Sequence, residues 1–236
     1  MVILHGISIT FISVKPLRGD LLDKIDDIVT ILKRENKKYI VPIVTIVSMT
    51  KSPFMVLISC LLSLRTKDKV TAEASNRLFK LADKPEKMLG LSIKNIEEAI
   101  YPVGFYKTKA KRMKEICKTL LDNYGGGVPD EIDELLKLNG VGRKTANLVV
   151  TLGYGKLGIC VDTHVHRISN RLGLVKTKTP EQTEFTLRKK LPQKHWLIYN
   201  DLLVTYGQNL CVPISPWCSK CKIYKYCKRV GVKKFR

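Results

Sequence analysis

Acidic residues and unbroken apolar runs are what this chain is short of. Aspartate and glutamate number 21 against 42 lysines and arginines in 236 residues, a formal net charge of +21. A chain so cationic is expected to meet a polyanion, not an acidic-surfaced role of its own. No apolar run approaches the roughly 20 residues that cross a bilayer as a helix. The N-terminus also lacks a basic segment followed by an apolar core and a small-residue cleavage site. Nucleic acid is therefore a better fit than a membrane, and the expected location is inside the cell, in the cytoplasm or nucleoid. No stretch alternates apolar and polar residues as a half-buried strand would, so the expected fold class is all-α. Disulfides are expected to be absent as well, because the seven cysteines are odd in number and no secretory signal accompanies them.

What is present is helical periodicity. The 44% hydrophobic content can bury a core, as one large or two small domains. Asp20 is a plausible N-cap for a stripe of Leu21, Leu22, Ile25, Ile28, Val29 and Leu32. The apolar opening Ile7–Val14 fits a strand or a packed extension equally, and Tyr39–Val47, broken by Pro42, reads as a connector. Ser52-Pro53 then opens a nearly all-apolar stretch, Phe54–Leu64, expected to be the central buried helix. Helical patterns follow over Lys67–Leu81, Ser92–Ile100 and Lys107–Tyr124, with a turn at Pro85. In the last of these Ala110, Met113, Ile116, Cys117, Leu120 and Leu121 form an inward face and the lysines are expected outside. Thr179-Pro180-Glu181-Gln182 reads as a capping box, and Trp196–Leu210 as a further amphipathic helix.

The positive charge is concentrated. Lys220, Lys222, Lys225, Lys228, Arg229, Lys233, Lys234 and Arg236 follow Cys211 with no acidic residue among them, and a second cluster runs from Lys107 to Lys118. Phosphate contacts from such clusters release counterions, so binding should weaken steeply with salt.

Two motifs carry chemistry. In the first, a helix over Glu131–Leu138 meets a second one beginning after Gly142, at the hairpin Gly140-Val141-Gly142. Glycine at both hairpin positions permits positive φ and close approach of a ligand to the backbone, and the free N–H groups of the second helix form an anion site. Arg143 and Lys144 lie in that helix's first turn, where the macrodipole disfavours cations, so their charge is expected to serve a bound phosphate. The second motif is Cys211-x6-Cys218-x2-Cys221-x5-Cys227. Four cysteines so close can converge on tetrahedral zinc or on a 4Fe-4S cluster, and ligand type does not separate the two. Cys60, Cys117 and Cys160 stand singly in apolar surroundings and read as buried thiols.

Leu138-Asn139-Gly140-Val141-Gly142-Arg143-Lys144-Thr145-Ala146-Asn147, with Asp162 of Val-Asp-Thr-His eighteen residues after Lys144, resembles the helix-hairpin-helix and catalytic loop of the endonuclease III family of DNA glycosylases. The likeness spans at least Pro53 to Cys227. It implies a helix-hairpin-helix glycosylase fold in two parts. One is a helical barrel over residues 46–156, carrying the hairpin at about 130–153. The other is a discontinuous unit of residues 1–45 and 157–236, holding the cysteine loop at 211–227. The cysteine spacing is the family's iron–sulfur spacing, which favours a 4Fe-4S cluster on Cys211, Cys218, Cys221 and Cys227.

The resemblance places Lys144 as nucleophile and Asp162 as the carboxylate that stabilises an oxocarbenium-like transition state. The implied activity is that of a bifunctional DNA glycosylase and AP lyase. It would excise oxidised or ring-saturated pyrimidines from damaged double-stranded DNA, acting as a monomer in base excision repair, and cut 3′ to the abasic site by β-elimination. Gly140, Val141, Gly142 and Arg143 would hold phosphates, Arg65 and Phe105 would fill the gap left by the extruded base, and Lys220 and Lys222 would contact DNA from the cysteine loop. The chain departs from the family pattern in having Arg65 for glutamine, Phe105 for leucine, Asn139 for proline, and no basic residue between Cys211 and Cys218. Asp162 also suits a helix N-cap, and His164 and His166, two apart, would face apart on a helix and are assigned no metal. Two other readings stand beside the main one. The first is a glycosylase for mismatched thymine or uracil, or for adenine opposite oxidised guanine. The second is a non-catalytic helical DNA-binding module with a structural four-cysteine metal site.

Overall fold

The structure is a computed structural model that describes residues 21–39 and 52–236. The expectations for Ile7–Val14, for Asp20 as a cap, for most of the Pro42 connector and for a domain boundary at 46 lie outside these residues. The described residues are helical throughout, with no strand among them.

One apolar core is organised around the helix Pro53–Ser63. Ser52 caps it, its Oγ accepting from Met55 N at 3.3 Å, and Pro53 occupies the first turn, where a missing N–H costs nothing. Val56, Leu57, Ile58 and Leu62 have no exposed surface, as expected of a helix apolar on every side. The helices Asp68–Leu81, Ile93–Ile100, Tyr106–Tyr124 and Arg143–Leu148 supply the residues that cover it. Pro85, expected in a turn, instead opens the short helix Pro85–Gly90, because its ring is preset for a first helical turn. Tyr106–Tyr124 buries the predicted stripe and ends at Gly125, whose φ of +58° closes the last turn.

Two lysines of that helix are not outside. Lys109 is buried, and Lys114 donates to the carbonyls of Leu89 and Leu91, the latter at 2.7 Å. Periodicity assigns a face to the Cα atom, whereas a long aliphatic stem can carry its ammonium round to unpaired carbonyls.

A second core joins Ile25–Asn36 to Thr163–Leu172, Pro180–Lys190 and Trp196–Asn209. Ile25, Ile28, Val29 and Leu32 form the predicted stripe. Polar contacts fix the register of the N-terminal helix: Asn36 Nδ2 donates to Leu202 O at 2.9 Å, and Asp26 pairs with His195 at 2.5 Å and Lys194 at 2.6 Å. The capping box at Thr179 forms by half, with Oγ1 accepting from Gln182 N at 3.2 Å, while Gln182 reaches past Thr179 to Lys178 N at 2.9 Å.

The weight placed on the central helix is testable. Leu57→Ala should lower unfolding free energy by about 2–5 kcal/mol, read from the midpoint of a denaturant titration at unchanged slope.

Candidate active site and cysteine loop

The hairpin is tighter than its sequence suggests. Only Ile132–Leu135 is helical before it, and the chain then turns through Leu136–Gly140, pinned by buried Leu135, Leu138 and Val141. Gly140 requires glycine, since its φ is +80° and a Cβ there would strike the Arg112 side chain. Gly142 does not share that constraint: its φ of −100° and ψ of 173° are extended backbone, which corrects the expectation of positive φ at both positions. A Cβ on Gly142 would meet nothing within 4 Å, so the space beside it is open. Gly142 caps Arg143–Leu148 with no side chain, leaving the first N–H groups of that helix without a capping acceptor.

Lys144 is exposed one residue into this helix, which widens into a π turn over Val149–Gly153. Below it lie Cys160, whose Sγ is 3.7 Å from Lys144 O, and Cys60. Burial pushes the Cys60 thiol up to about 12 and Cys160 well above its ordinary value, so both are inert apolar filling.

Asp162 lies at the first residue before Thr163–Leu172. Its Oδ1 accepts from His164 N at 2.8 Å and Val165 N at 2.9 Å, so the carboxylate caps the helix and is held by it, with Oδ2 left for the cavity. Lys144 and Asp162 border one cavity of about 790 Å³, together with Arg65, Arg143 and His164.

Arg143 is not waiting for a phosphate. Its Nε and Nη2 donate to the two oxygens of Glu184 at 3.0 and 2.8 Å, and its plane lies over Phe185, 4.7 Å from the ring centroid. Arg188 Nε reaches the same carboxylate at 3.1 Å. Burial acts to raise the pKa of Glu184, but the bond from Arg143 and the charges of both arginines outweigh it and hold the carboxyl below its usual range.

His164 was given no role by its sequence spacing, yet it forms part of the cavity wall. Arg167 Nη2 donates to its Nδ1 at 3.0 Å, and an arginine can only donate, so the proton of the neutral ring sits on Nε2. Burial pushes this histidine below its ordinary value against the pull of Asp162, keeping it neutral. His166 faces the other way, onto Thr183 Oγ1 at 2.7 Å. Asn200, Val204 and Gln208 complete the opposite wall; their spacing of four along Trp196–Asn209 was a readable signal of one shared face.

At the rim, Arg65 and Phe105 are neighbours, with the Arg65 guanidinium 5.6 Å from the Phe105 ring centroid and Phe105 61% exposed. Lys220 and Lys222 lie elsewhere, exposed on the cysteine loop, with Lys220 Nζ 4.4 Å from the Trp217 ring centroid.

The four grouped cysteines are free thiols that line one cavity, walled by Ile168, Leu172, Leu210 and Ile223. Among the described residues no three His, Cys, Asp or Glu side chains are arranged to hold a single metal ion. Three of the sulfurs already have polar neighbours: Arg171 Nη1 is 3.3 Å from Cys211, Tyr206 Oη donates to Cys221 at 3.2 Å, and Arg229 N donates to Cys227 at 3.4 Å.

Residues 58–193 match the model of the HhH-GPD superfamily of base excision DNA repair proteins. Endonuclease III of Thermotoga maritima is 47% identical over 176 residues, covering 75% of this chain and 83% of that protein. The chain belongs to the endonuclease III family of that superfamily. Endonuclease III of Bacillus subtilis is 36% identical, covering 75% of this chain and 81% of its own length. Among solved structures, a trapped endonuclease III–DNA covalent intermediate superposes with a TM-score of 0.71 at 36% identity, covering 75% of this chain and 84% of that one. A thermostable thymine-DNA glycosylase superposes at 0.70 with 26% identity, covering 77% and 86%. The all-helical architecture expected from the family resemblance is thus the one observed. No described helix is long and apolar enough to cross a membrane.

The Glu184 bridge gives a pH-dependent test. A carboxyl held low in the folded state stabilises above the unfolded glutamate value near 4.3, and that stability is lost as pH falls through the lower folded value. Glu184→Gln should cost about 3 kcal/mol at pH 7, the low end for breaking a buried pair, because Arg143 and Arg188 stay 26% and 24% exposed and can rehydrate. The variant should also show a shallower loss of stability below pH 4, checked by denaturant titrations across that range.

Proposed function

We propose that this chain is a bifunctional DNA glycosylase and AP lyase of base excision repair, acting on oxidised or ring-saturated pyrimidines in duplex DNA. The observation that carries the reading is the meeting of Lys144 and Asp162 on one cavity in a chain of the endonuclease III family.

In this reading the Lys144 amine attacks C1′ of the extruded nucleotide, and the base leaves with the glycosidic electron pair and takes the proton that the attacking nitrogen gives up. Positive charge develops on the sugar in that step. The Asp162 carboxylate, already oriented by its two backbone N–H bonds, stabilises that charge without having to reorganise. The C1′–O4′ bond then opens, O4′ taking up the nitrogen's remaining proton, and leaves the sugar on Lys144 as a Schiff base; loss of a C2′ proton follows, and the 3′ phosphate leaves by β-elimination. Hydrolysis of the imine then frees Lys144. Arg143, committed to Glu184, acts here by placing the start of the Lys144 helix. The free N–H groups after Gly142 are the phosphate contact, and open space beside Gly142 lets the DNA backbone approach.

Arg65 and Phe105 supply the gap filler, and an exposed aromatic at the rim suits insertion into a base stack. Exposed Lys220 and Lys222 contact the duplex from the cysteine loop. The barrel and the discontinuous unit correspond to the two apolar cores, which face each other across the cavity.

Cys211, Cys218, Cys221 and Cys227 hold a 4Fe-4S cluster. Their thiols fit it: none is in a disulfide, all line one cavity, and donors from Arg171 and Tyr206 suit anionic sulfur. When bound, the cluster supplies structural bracing of a basic loop, with no part in the bond changes. Purified aerobically, the protein should be brown, with broad absorption near 400 nm and about four irons per chain; a colourless protein with one zinc would remove this assignment.

The chemistry is tested by borohydride trapping on duplexes holding either an abasic site or a ring-saturated pyrimidine. The parent should form a covalent adduct with both. Lys144→Ala should form neither, and Asp162→Asn, which keeps a competent helix cap, should lose adduct while its stability changes by less than about 1 kcal/mol. Trapping confined to the abasic duplex would keep the lyase and send the base specificity to a mismatched thymine or uracil, the relation suggested by the thymine-DNA glycosylase fold match.

A further inference from the structure

Lys109 is the buried lysine that the catalytic reading leaves unused. It is 6% exposed, and its Nζ donates to Leu62 O at 2.9 Å, Leu64 O at 2.6 Å and Thr66 Oγ1 at 3.3 Å. Three acceptors use all three ammonium protons. The carbonyls of Leu62 and Leu64 belong to the end of the central helix, where backbone acceptors lack partners and the helix dipole is negative. Burial, helped by the charge of Arg112, lowers the Lys109 pKa to about 8.

One of these acceptors, Thr66 Oγ1, joins the two rim loops. Thr66 Oγ1 accepts from Gly104 N at 3.2 Å as well as from Lys109, and donates to Leu64 O at 3.3 Å, so each of its hydrogen-bonding directions is used. Gly104 is packed backbone against backbone: a Cβ there would stand 2.7 Å from Arg65 O. Flanking this junction, Arg65 and Phe105 both have positive φ, 53° and 59°. Such conformations are costly for non-glycine residues and persist where the surroundings over-determine them. Lys109 is at the centre of those surroundings, one turn along the helix that Phe105 precedes, with Lys109 N donating to Phe105 O at 3.0 Å.

We propose that Lys109 is a positioning residue for base extrusion: through Leu64, Thr66 and Gly104 it locks the Arg65 and Phe105 loops into one preassembled wedge. The inference rests on the reading of Arg65 and Phe105 as gap fillers. A lysine that merely stabilised the fold would be needed equally for every substrate. One that sets the wedge is needed when a base must be driven out of a pair, and hardly at all when the lesion is already unpaired.

The deciding experiment is single-turnover excision of 5,6-dihydrothymine from two duplexes, one with adenine opposite the lesion and one with a tetrahydrofuran abasic analogue opposite it. Lys109→Met should slow excision from the paired duplex by about tenfold or more, and from the unpaired one by no more than about threefold. Thr66→Val breaks the same junction with a smaller change in the core and should show the same selectivity; it decides alone if Lys109→Met does not fold, as judged by circular dichroism. Equal losses on the two duplexes, or no loss on either, would overturn the proposal. Phe105→Ala run in parallel separates the two ideas. If it too treats the duplexes alike, the gap-filling reading fails; if it discriminates and the Lys109 and Thr66 variants do not, only the locking role fails.

Discussion

A single buried carboxylate joins the hairpin helix to the second core beside the cavity. Glu184, on a helix of the second core, receives Arg143 from the hairpin helix and Arg188 from its own helix, and Arg188 in turn reaches Asn147 Oδ1 at 2.9 Å. Taking a charge out of water is expensive, and the arrangement survives because both oxygens are met by guanidinium forks. What it achieves is placement. Lys144 stands on the first core and Asp162 on the second, and the bond between Arg143 and Glu184 joins the helices of the two sides, beside the contact of Cys160 Sγ with Lys144 O at 3.7 Å.

Charge in this protein is used in several separate ways, and residue type does not tell them apart. Arg143, Lys109 and Lys114 are spent inside, on a carboxylate and on orphan carbonyls. Arg236 and Lys220 lie over the Trp217 ring, 3.9 and 4.4 Å from its centroid, and Arg229 over Tyr224 at 4.4 Å, so part of the basic tail covers the aromatic surface of the cysteine loop. Others, such as Lys87, Lys137, Lys156 and Lys194, are paired with surface carboxylates, and the exposed lysines outside all these contacts are left to meet phosphate. A formal charge of +21 therefore overstates the number of cations free for DNA.

Most of the fold could be read from the chain because it is written in short-range periodicity. The stripes of Ile25–Leu32 and Ala110–Leu120, the Ser52-Pro53 start and the Asp162 cap depend on neighbours three or four residues away. Lys144, Asp162 and the four cysteines were visible because family spacing preserves them. What stayed hidden depends on distant partners: Glu184 lies 41 residues from Arg143, and Leu62 lies 47 from Lys109. Gly142 could not be distinguished from Gly140, since the letter records that a side chain is missing and not whether φ or a visiting ligand requires its absence. His164 was passed over because its importance comes from Arg167 and the cavity, not from the spacing of the two histidines.

Arg167 touches two centres that are usually discussed apart. One guanidinium fixes the tautomer of His164 at the cavity wall and also holds Cys211 O through both Nε and Nη2, at 3.1 and 2.9 Å. The carbonyl it grips belongs to the first residue of the cysteine loop, at the end of Trp196–Asn209, the helix whose other face forms the cavity wall. One guanidinium thus ties the start of the cysteine loop to a histidine of the cavity wall, so the position of either is felt at the other.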